Sequence, residues 1–321
     1  MKIVILDGGC VNPGDLSWDA WHRLGKITLY DHTAAVDVVA RACDADALIV
    51  NKVQMSAEVM EKLPKLKYIG VLATGYNVVD VEAAKEHGIV VTNIPAYSTE
   101  SVAQATFAHL LHVCNDVAHY VTVEKKKEWC THRDFCYWDA PLIELKDKTI
   151  GIVGLGNIGM KVAQIALTFG MKVVAYTSKA QEQLPEGIKA MSYDELLQAS
   201  DVVSFHCPLN ERTHRMINRE TLSKMKQDVI LLNMSRGGLV DEEALAKALQ
   251  KGDLYAYCAD VLAEEPPQVS NPLLDVANAY ITPHLAWATK EARGRLMEIA
   301  LTNIEAFIRN EQSGNEITSM V

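Results

Sequence analysis

Short apolar runs rich in β-formers recur along the chain, with helical patterning between them. In the first part they are KIVIL (2–6), ITLY (27–30), ALIV (47–50), YIGVL (68–72) and IVVT (89–92). In the second they are TIGIV (149–153), KVVAY (172–176), DVVSF (201–205), VILLN (229–233), LYAYCA (254–259) and AYIT (279–282). Continuous runs separated by helices predict strands of parallel sheets covered on both faces. Two successive sets predict two α/β domains, which 321 residues are enough to fill.

Between the sets, SVAQATFAHLLHVCNDVAHYV (101–121) carries apolar residues at helical spacing, and Ser101 followed by Gln104 reads as a capping-box start. A second long helix is expected over roughly 288–310, after the last strand. The simplest path crosses into the second domain along the first helix and returns along the other. The domains are then a discontinuous one, 1–100 plus 288–321, and an inserted one, 101–287. The least regular stretch is 122–147, where Lys125 to Lys127 read as a solvated helix end.

Composition narrows the class. With 41 acidic against 31 basic residues the net charge is −10, which argues against a nucleic-acid or anionic-membrane partner. Seven cysteines without a C-x-x-C pair suit a reducing cytoplasm better than a disulfide framework. MKIVILDGG reads as a first strand rather than a signal peptide, and no apolar run approaches membrane-spanning length.

GLGNIG, Gly154 to Gly159, follows TIGIV directly and opens a helical pattern. In that strand–turn–helix context Gly154 permits the tight turn, Gly156 lets backbone approach a pyrophosphate, and Gly159 permits close packing. The helix N-terminus adds free N–H groups and a positive dipole end. About 20 residues on, a carboxylate for the adenosine ribose is due. VVAYTSK has Thr177, Ser178 and Lys179 there instead, two hydroxyls and an ammonium that suit a 2′-phosphate. The pattern favours NADP over NAD. The strand-plus-glycine LDGG (6–9) lacks the full spacing and reads as a turn.

Ligands of open parallel sheets sit beyond the carboxyl ends of the strands. Past those ends stand Asn233-Met234-Ser235-Arg236 after VILLN, Asp260 to Glu265 after LYAYCA, and His284 after AYIT. An arginine, an acid and a histidine on one edge suit hydride transfer to a carbonyl. The histidine can protonate the oxygen, the acid can orient it, and the arginine can grip a carboxylate bidentately. His206 competes with His284, because it too lies past a strand end. His109 and His112 share a helix face, and without a third ligand they read as packing or interface residues, with no metal expected.

GLGNIG, MSRGGLVDEEAL, DVLAEEP and TPHLAWAT together resemble the D-isomer-specific 2-hydroxyacid dehydrogenases, over essentially the whole chain. The resemblance implies two doubly wound, Rossmann/flavodoxin-like domains separated by an active-site cleft. It implies Arg236 as the substrate-binding arginine, Glu265 as the histidine's partner and His284 as the acid/base. Gly154, Gly156, Asn157, Ile158, Gly159, Thr177, Ser178, Lys179, Cys207, Pro208, Met234 and Ser235 would line the cofactor, with Arg236 and His284 beside it and Asp260 on the nicotinamide carboxamide. Thr74, Gly75, Tyr76 and Asn77 resemble the loop whose amides receive the substrate carboxylate. His206 would lie near the cofactor, outside proton transfer. Gln104, where the family has an acid, is not assigned chemistry.

DFCYWDAPLIEL (134–145) and HLAWAT resemble the glycerate dehydrogenase and hydroxypyruvate reductase group, which implies hydroxypyruvate or glyoxylate as substrate and NAD(P) as cofactor. Pyruvate and 3-phosphohydroxypyruvate stay open as other 2-keto acids, as does a dinucleotide-sensing, corepressor-like binding protein. By the same analogy the helix 101–121 and the aromatics of 129–145 imply a homodimer.

Overall fold

The structure is a computed structural model that describes residues 1–318; residues 319–321, included in the domain expectation above, lie outside the described residues. The chain divides into two compact units, one of Met1–Ser98 with the chain from Trp287 onward, the other Thr99–Ala286.

The first unit is built on five parallel strands: β1 (Lys2–Ile5), β2 (Lys26–Leu29), β3 (Ala47–Val50), β4 (Tyr68–Val71) and β5 (Val90–Thr92). Their order is β2-β1-β3-β4-β5, the doubly wound order of flavodoxin-like sheets. Every residue of ALIV and YIGV is buried, because parallel central strands are covered on both faces. Val4, Leu48, Ile69 and Val91 pack on one face. Ile3, Ile5, Ile49 and Tyr68 pack on the other, against Leu296, Ala300 and Ile304 of the helix Lys290–Ile308. That helix is shorter than the expected 288–310 because Thr289 caps it, its hydroxyl accepting from Ala292 N.

The second unit has seven parallel strands: β6 (Thr149–Val153), β7 (Lys172–Tyr176), β8 (Ile188–Ala190), β9 (Val202–Phe205), β10 (Val229–Asn233), β11 (Leu254–Ala259) and β12 (Ala279–Ile281). The order β12-β11-β10-β9-β6-β7-β8 is the dinucleotide-binding arrangement extended by one strand. Direction of winding reverses between β6 and β9, which places the ligand crevice at the ends of those two strands. VILLN is buried throughout, and truncating Leu231 to Ala would cost about 2–5 kcal/mol.

Three local expectations are corrected. β8, with sequence IKA, has no apolar run to announce it; it pairs only with β7 at the sheet edge. The helix expected over 101–121 is two, Thr99–Asn115 and Val117–Lys125, broken where Asp116 takes φ 41°. Aspartate tolerates that left-handed conformation better than most residues. Ser101 and Gln104 form no capping box: the helix begins at Thr99, and buried Ser101 donates from Oγ to Ala286 O at 2.5 Å.

Candidate active site on the second sheet edge

The three glycines after β6 face different surroundings. Gly154 has φ 94°, and a Cβ there would lie 2.7 Å from Cys207 N, so the turn presses directly on the chain leaving β9. A Cβ on Gly159 would lie 2.1 Å from Gly154 O. Gly156 has φ −78° and nothing within 4 Å of a Cβ position. Neither backbone conformation nor packing requires glycine at 156, so the open space is what its missing side chain provides. As N-cap of the helix Asn157–Thr168, Gly156 contributes no side-chain cap, which leaves the first-turn amides and the helix dipole turned toward that space. This cradle fits a dinucleotide pyrophosphate.

At the end of β7, Tyr176 is exposed and its ring lies against Tyr193. Thr177 is half-buried and its Oγ1 accepts from Lys179 N at 3.3 Å, while Ser178 and Lys179 are exposed. Among the described residues Lys179 forms no salt bridge.

Beyond β10, β11 and β12 the chain carries Arg236, Glu265 and His284 to the edge that holds the glycine loop. His284 Nδ1 lies 2.6 Å from Glu265 Oε2, with the side chains 31% and 34% exposed. Glu265 Oε1 accepts from Leu262 N at 3.1 Å, so the carboxylate is held from its own loop. Arg236 is not joined to this pair. Its guanidinium donates to Ser235 O at 2.8 Å and, among the described residues, meets no carboxylate within salt-bridge distance. An exposed, unpaired guanidinium is available to an anionic ligand.

Buried Asn233 and half-buried Ser235 and Glu242 fix these loops. Asn233 accepts from Ser235 N and donates to Arg236 O, shaping the turn before the arginine. Ser235 Oγ donates to Cys207 O at 2.5 Å, tying that turn to the chain beyond β9. Gly237 lets the arginine loop sit against Leu262, whose carbonyl carbon would be 1.9 Å from a Cβ. Glu242, at the start of the helix Glu242–Lys251, accepts from Ala263 N and Asn271 Nδ2 and so steadies the loop that bears Glu265.

Asp260 is only 2% exposed, and its carboxylate accepts from Thr282 Oγ1 at 2.6 Å, Leu285 N at 2.8 Å and Ala286 N at 2.8 Å. These bonds brace His284, whose φ of 52° is a left-handed conformation that costs about 1–3 kcal/mol in a non-glycine residue. The carboxylate placed on the nicotinamide carboxamide by resemblance also holds the histidine's loop.

The other sequence candidates lie close by. His206 bonds through Nε2 to Ser204 Oγ at 2.8 Å, its Nδ1 is buried with no partner among the described residues, and burial pushes its pKa down to about 3. Among the described residues it has no carboxylate partner, in contrast to His284. Cys207 is buried, its thiol pushed up to about 11 by burial, and Met234 is buried beside β10, whereas Pro208 is exposed. His112 packs edge-on against Tyr280, and His109 Nε2 lies 3.1 Å from Thr282 Oγ1. No group of His, Cys, Asp and Glu suited to a metal ion occurs among the described residues.

In the first unit, Thr74 to Asn77 follow β4. Thr74 Oγ1 donates to Ile94 O and Asn93 Nδ2 donates to Thr74 O, each at 2.8 Å. These bonds fix the loop's base and leave Tyr76 and Asn77 exposed. The amides of Gly75, Tyr76 and Asn77 meet no acceptor among the described residues, a run of donors that suits a carboxylate.

Asn233, Glu242, Thr282 and His109 were not singled out as site residues from sequence. Asn233 and Thr282 could have been, as polar residues ending apolar strands. Nothing in the sequence near His109 points to Thr282.

Residues 107–286 match the family model described as D-isomer specific 2-hydroxyacid dehydrogenase, NAD binding domain. The chain is 48% identical, over 96% of its length and 97% of the relative's, to a hydroxypyruvate reductase of Blautia hydrogenotrophica. It resembles the structure of an acyclic imino acid reductase in complex with NADPH and D-Arg, with TM-score 0.85, 31% identity and coverage of 99% of this chain and 100% of the other. It also resembles a D-lactate dehydrogenase of Aquifex aeolicus complexed with NAD and lactic acid, with TM-score 0.85, 31% identity and 99% coverage of each chain.

Proposed function

Because the chain belongs to the D-isomer specific 2-hydroxyacid dehydrogenase family, we propose that it reduces hydroxypyruvate, and glyoxylate beside it, to the corresponding 2-hydroxy acid with NAD(P)H. The observation that carries the chemistry is the His284–Glu265 pair at 2.6 Å, on the sheet edge that also bears exposed Arg236 and the glycine cradle. Similarity to the Blautia hydroxypyruvate reductase supports the substrate.

Gly154, Gly156, Asn157, Ile158 and Gly159 would hold the cofactor's pyrophosphate, with Cys207, Pro208, Met234 and Ser235 along its path. When bound, the nicotinamide supplies the hydride to the substrate's C2. Glu265 accepts a hydrogen bond from Nδ1–H of His284, whose imidazolium form also carries the Nε2 proton that is delivered to the forming alkoxide, leaving the neutral ring. Arg236 binds the substrate carboxylate and polarises the adjacent carbonyl. In the first unit, the amides of Gly75 to Asn77 are carboxylate receivers of the same chemical kind.

Thr177, Ser178 and Lys179 favour NADP: no carboxylate stands at Thr177 to repel a 2′-phosphate, and the exposed Lys179 forms no salt bridge among the described residues. The exposed Val117, Val121, Trp129, Phe135, Trp138 and Leu142 form the contact surface of a homodimer. Seven free cysteines suit a reducing cytoplasm, and no helix among the described residues is long and apolar enough to cross a membrane.

The test is absorbance in the reduced-nicotinamide band with a panel of 2-keto acids. The highest kcat/KM is expected with hydroxypyruvate. A markedly higher value for pyruvate or 3-phosphohydroxypyruvate overturns the substrate.

A further inference from the structure

We propose that His109 is a positioning residue for the acid/base histidine: its Nε2–H donates to the Thr282 hydroxyl and, through Thr282 and Asp260, sets the backbone that presents His284. This rests on the reading of His284 as proton donor.

The direction of each bond follows from the protons available. The Asp260 carboxylate already takes the amides of Leu285 and Ala286. The Thr282 hydroxyl lies 2.6 Å from Asp260 Oδ1 and 3.5 Å from its other acceptor, Ala259 O, so its single proton goes to Asp260. Thr282 Oγ1 then offers only lone pairs to His109 Nε2 at 3.1 Å, and the nitrogen must carry the hydrogen. Burial lowers the pKa of His109, with His112 acting the same way and Asp260 opposing, so the ring is a neutral Nε2–H donor around neutral pH.

The helix Thr99–Asn115 therefore holds the segment 282–286 at both ends. His109 binds Thr282, and Ser101, two helical turns earlier and about 12 Å along the axis, donates to Ala286 O. Asp260 holds the segment from just beyond the end of β11. His284 lies midway between the two helix anchors, with the left-handed φ that would relax if either let go. Asp260 accepts from two amides and a hydroxyl at once, whereas His109 meets the segment through one donor that can be deleted and restored, which makes its role separable.

Three variants in the full-length protein test this, read by kcat and KM for the preferred keto acid, Kd for the reduced cofactor by fluorescence, and Tm. His109→Leu is expected to lower kcat about 5- to 10-fold with cofactor Kd unchanged, whereas His109→Gln, whose amide nitrogen occupies the Nε2 position, retains kcat within about twofold. Thr282→Val should lower kcat at least as much as His109→Leu, and combining the two should add nothing further. Wild-type kcat in His109→Leu overturns the proposal, as does equal loss in His109→Leu and His109→Gln, or additivity with Thr282→Val. A lowered Tm without a change in kcat marks a structural role and overturns it too. His284→Asn in the same assay separates the two readings: full activity there removes the proton-donor assignment itself. An inactive His284→Asn beside a fully active His109→Leu overturns only the positioning role.

Discussion

Glu265 Oε2 lies 2.6 Å from His284 Nδ1, while its other oxygen is held by Leu262 N. A carboxylate fixed in this way accepts a hydrogen bond from Nδ1–H and leaves Nε2 as the nitrogen that can carry the proton to be delivered. Glu265→Gln keeps the volume and loses the charge. We expect kcat to fall by about two orders of magnitude with cofactor Kd nearly unchanged. Steady-state kinetics with a cofactor titration check this, and an undiminished kcat would remove Glu265 from the mechanism.

The glycines of the cradle should separate stability from binding. Gly159→Ala places a methyl carbon 2.1 Å from a carbonyl oxygen and should cost roughly 1–3 kcal/mol of stability. Gly156→Ala places its Cβ in open space and should leave Tm nearly unchanged, on the order of the ±0.5 kcal/mol of a surface change, yet weaken cofactor binding. Thermal melts with and without cofactor distinguish the two. Equal loss of Tm in both would show that position 156 serves packing instead.

Cofactor choice is predicted to turn on residue 177. Thr177→Asp places a charge where a 2′-phosphate would lie and should shift the NADPH/NADH ratio of kcat/KM toward NADH by about 10- to 100-fold. Lys179→Ala should move it the same way by less. A wild-type enzyme that already prefers NADH strongly would refute the phosphate reading.

His206 makes stability pH-dependent. Its folded pKa of about 3 lies below the ordinary histidine value of about 6.5, so the unfolded chain takes the proton first. The stabilisation is complete above pH ~6.5 and declines as pH falls from there toward ~3, by roughly 1–2 kcal/mol at pH 5. His206→Gln keeps the bond to Ser204 and cannot titrate. Melts at pH 7.5 and pH 5 should show a smaller drop in Tm for the variant, and parallel drops would contradict this.

Most of the strand framework was legible because parallel strands buried on both faces must be continuous apolar runs, as VILLN and ALIV are. The glycine cradle was legible because its spacing answers to backbone geometry. β8 escaped because an edge strand of three residues needs no apolar run, and the helix break escaped because Asp116 sits within an unbroken helical pattern. Glu265 and His284 could be placed on one edge from strand order alone. The supports around them could not: Asp260 with its three donors, and His109 meeting Thr282 from a distant helix, exist only once the chain is folded. Charge and composition carry no trace of such contacts.

The most direct test of the proposed mechanism is His284→Asn, assayed with hydroxypyruvate and reduced cofactor alongside fluorescence titration of the cofactor. We predict a fall in kcat of about 100-fold or more with cofactor Kd close to wild type. Turnover at the wild-type rate would contradict proton delivery by His284 and with it the chemistry proposed for this sheet edge.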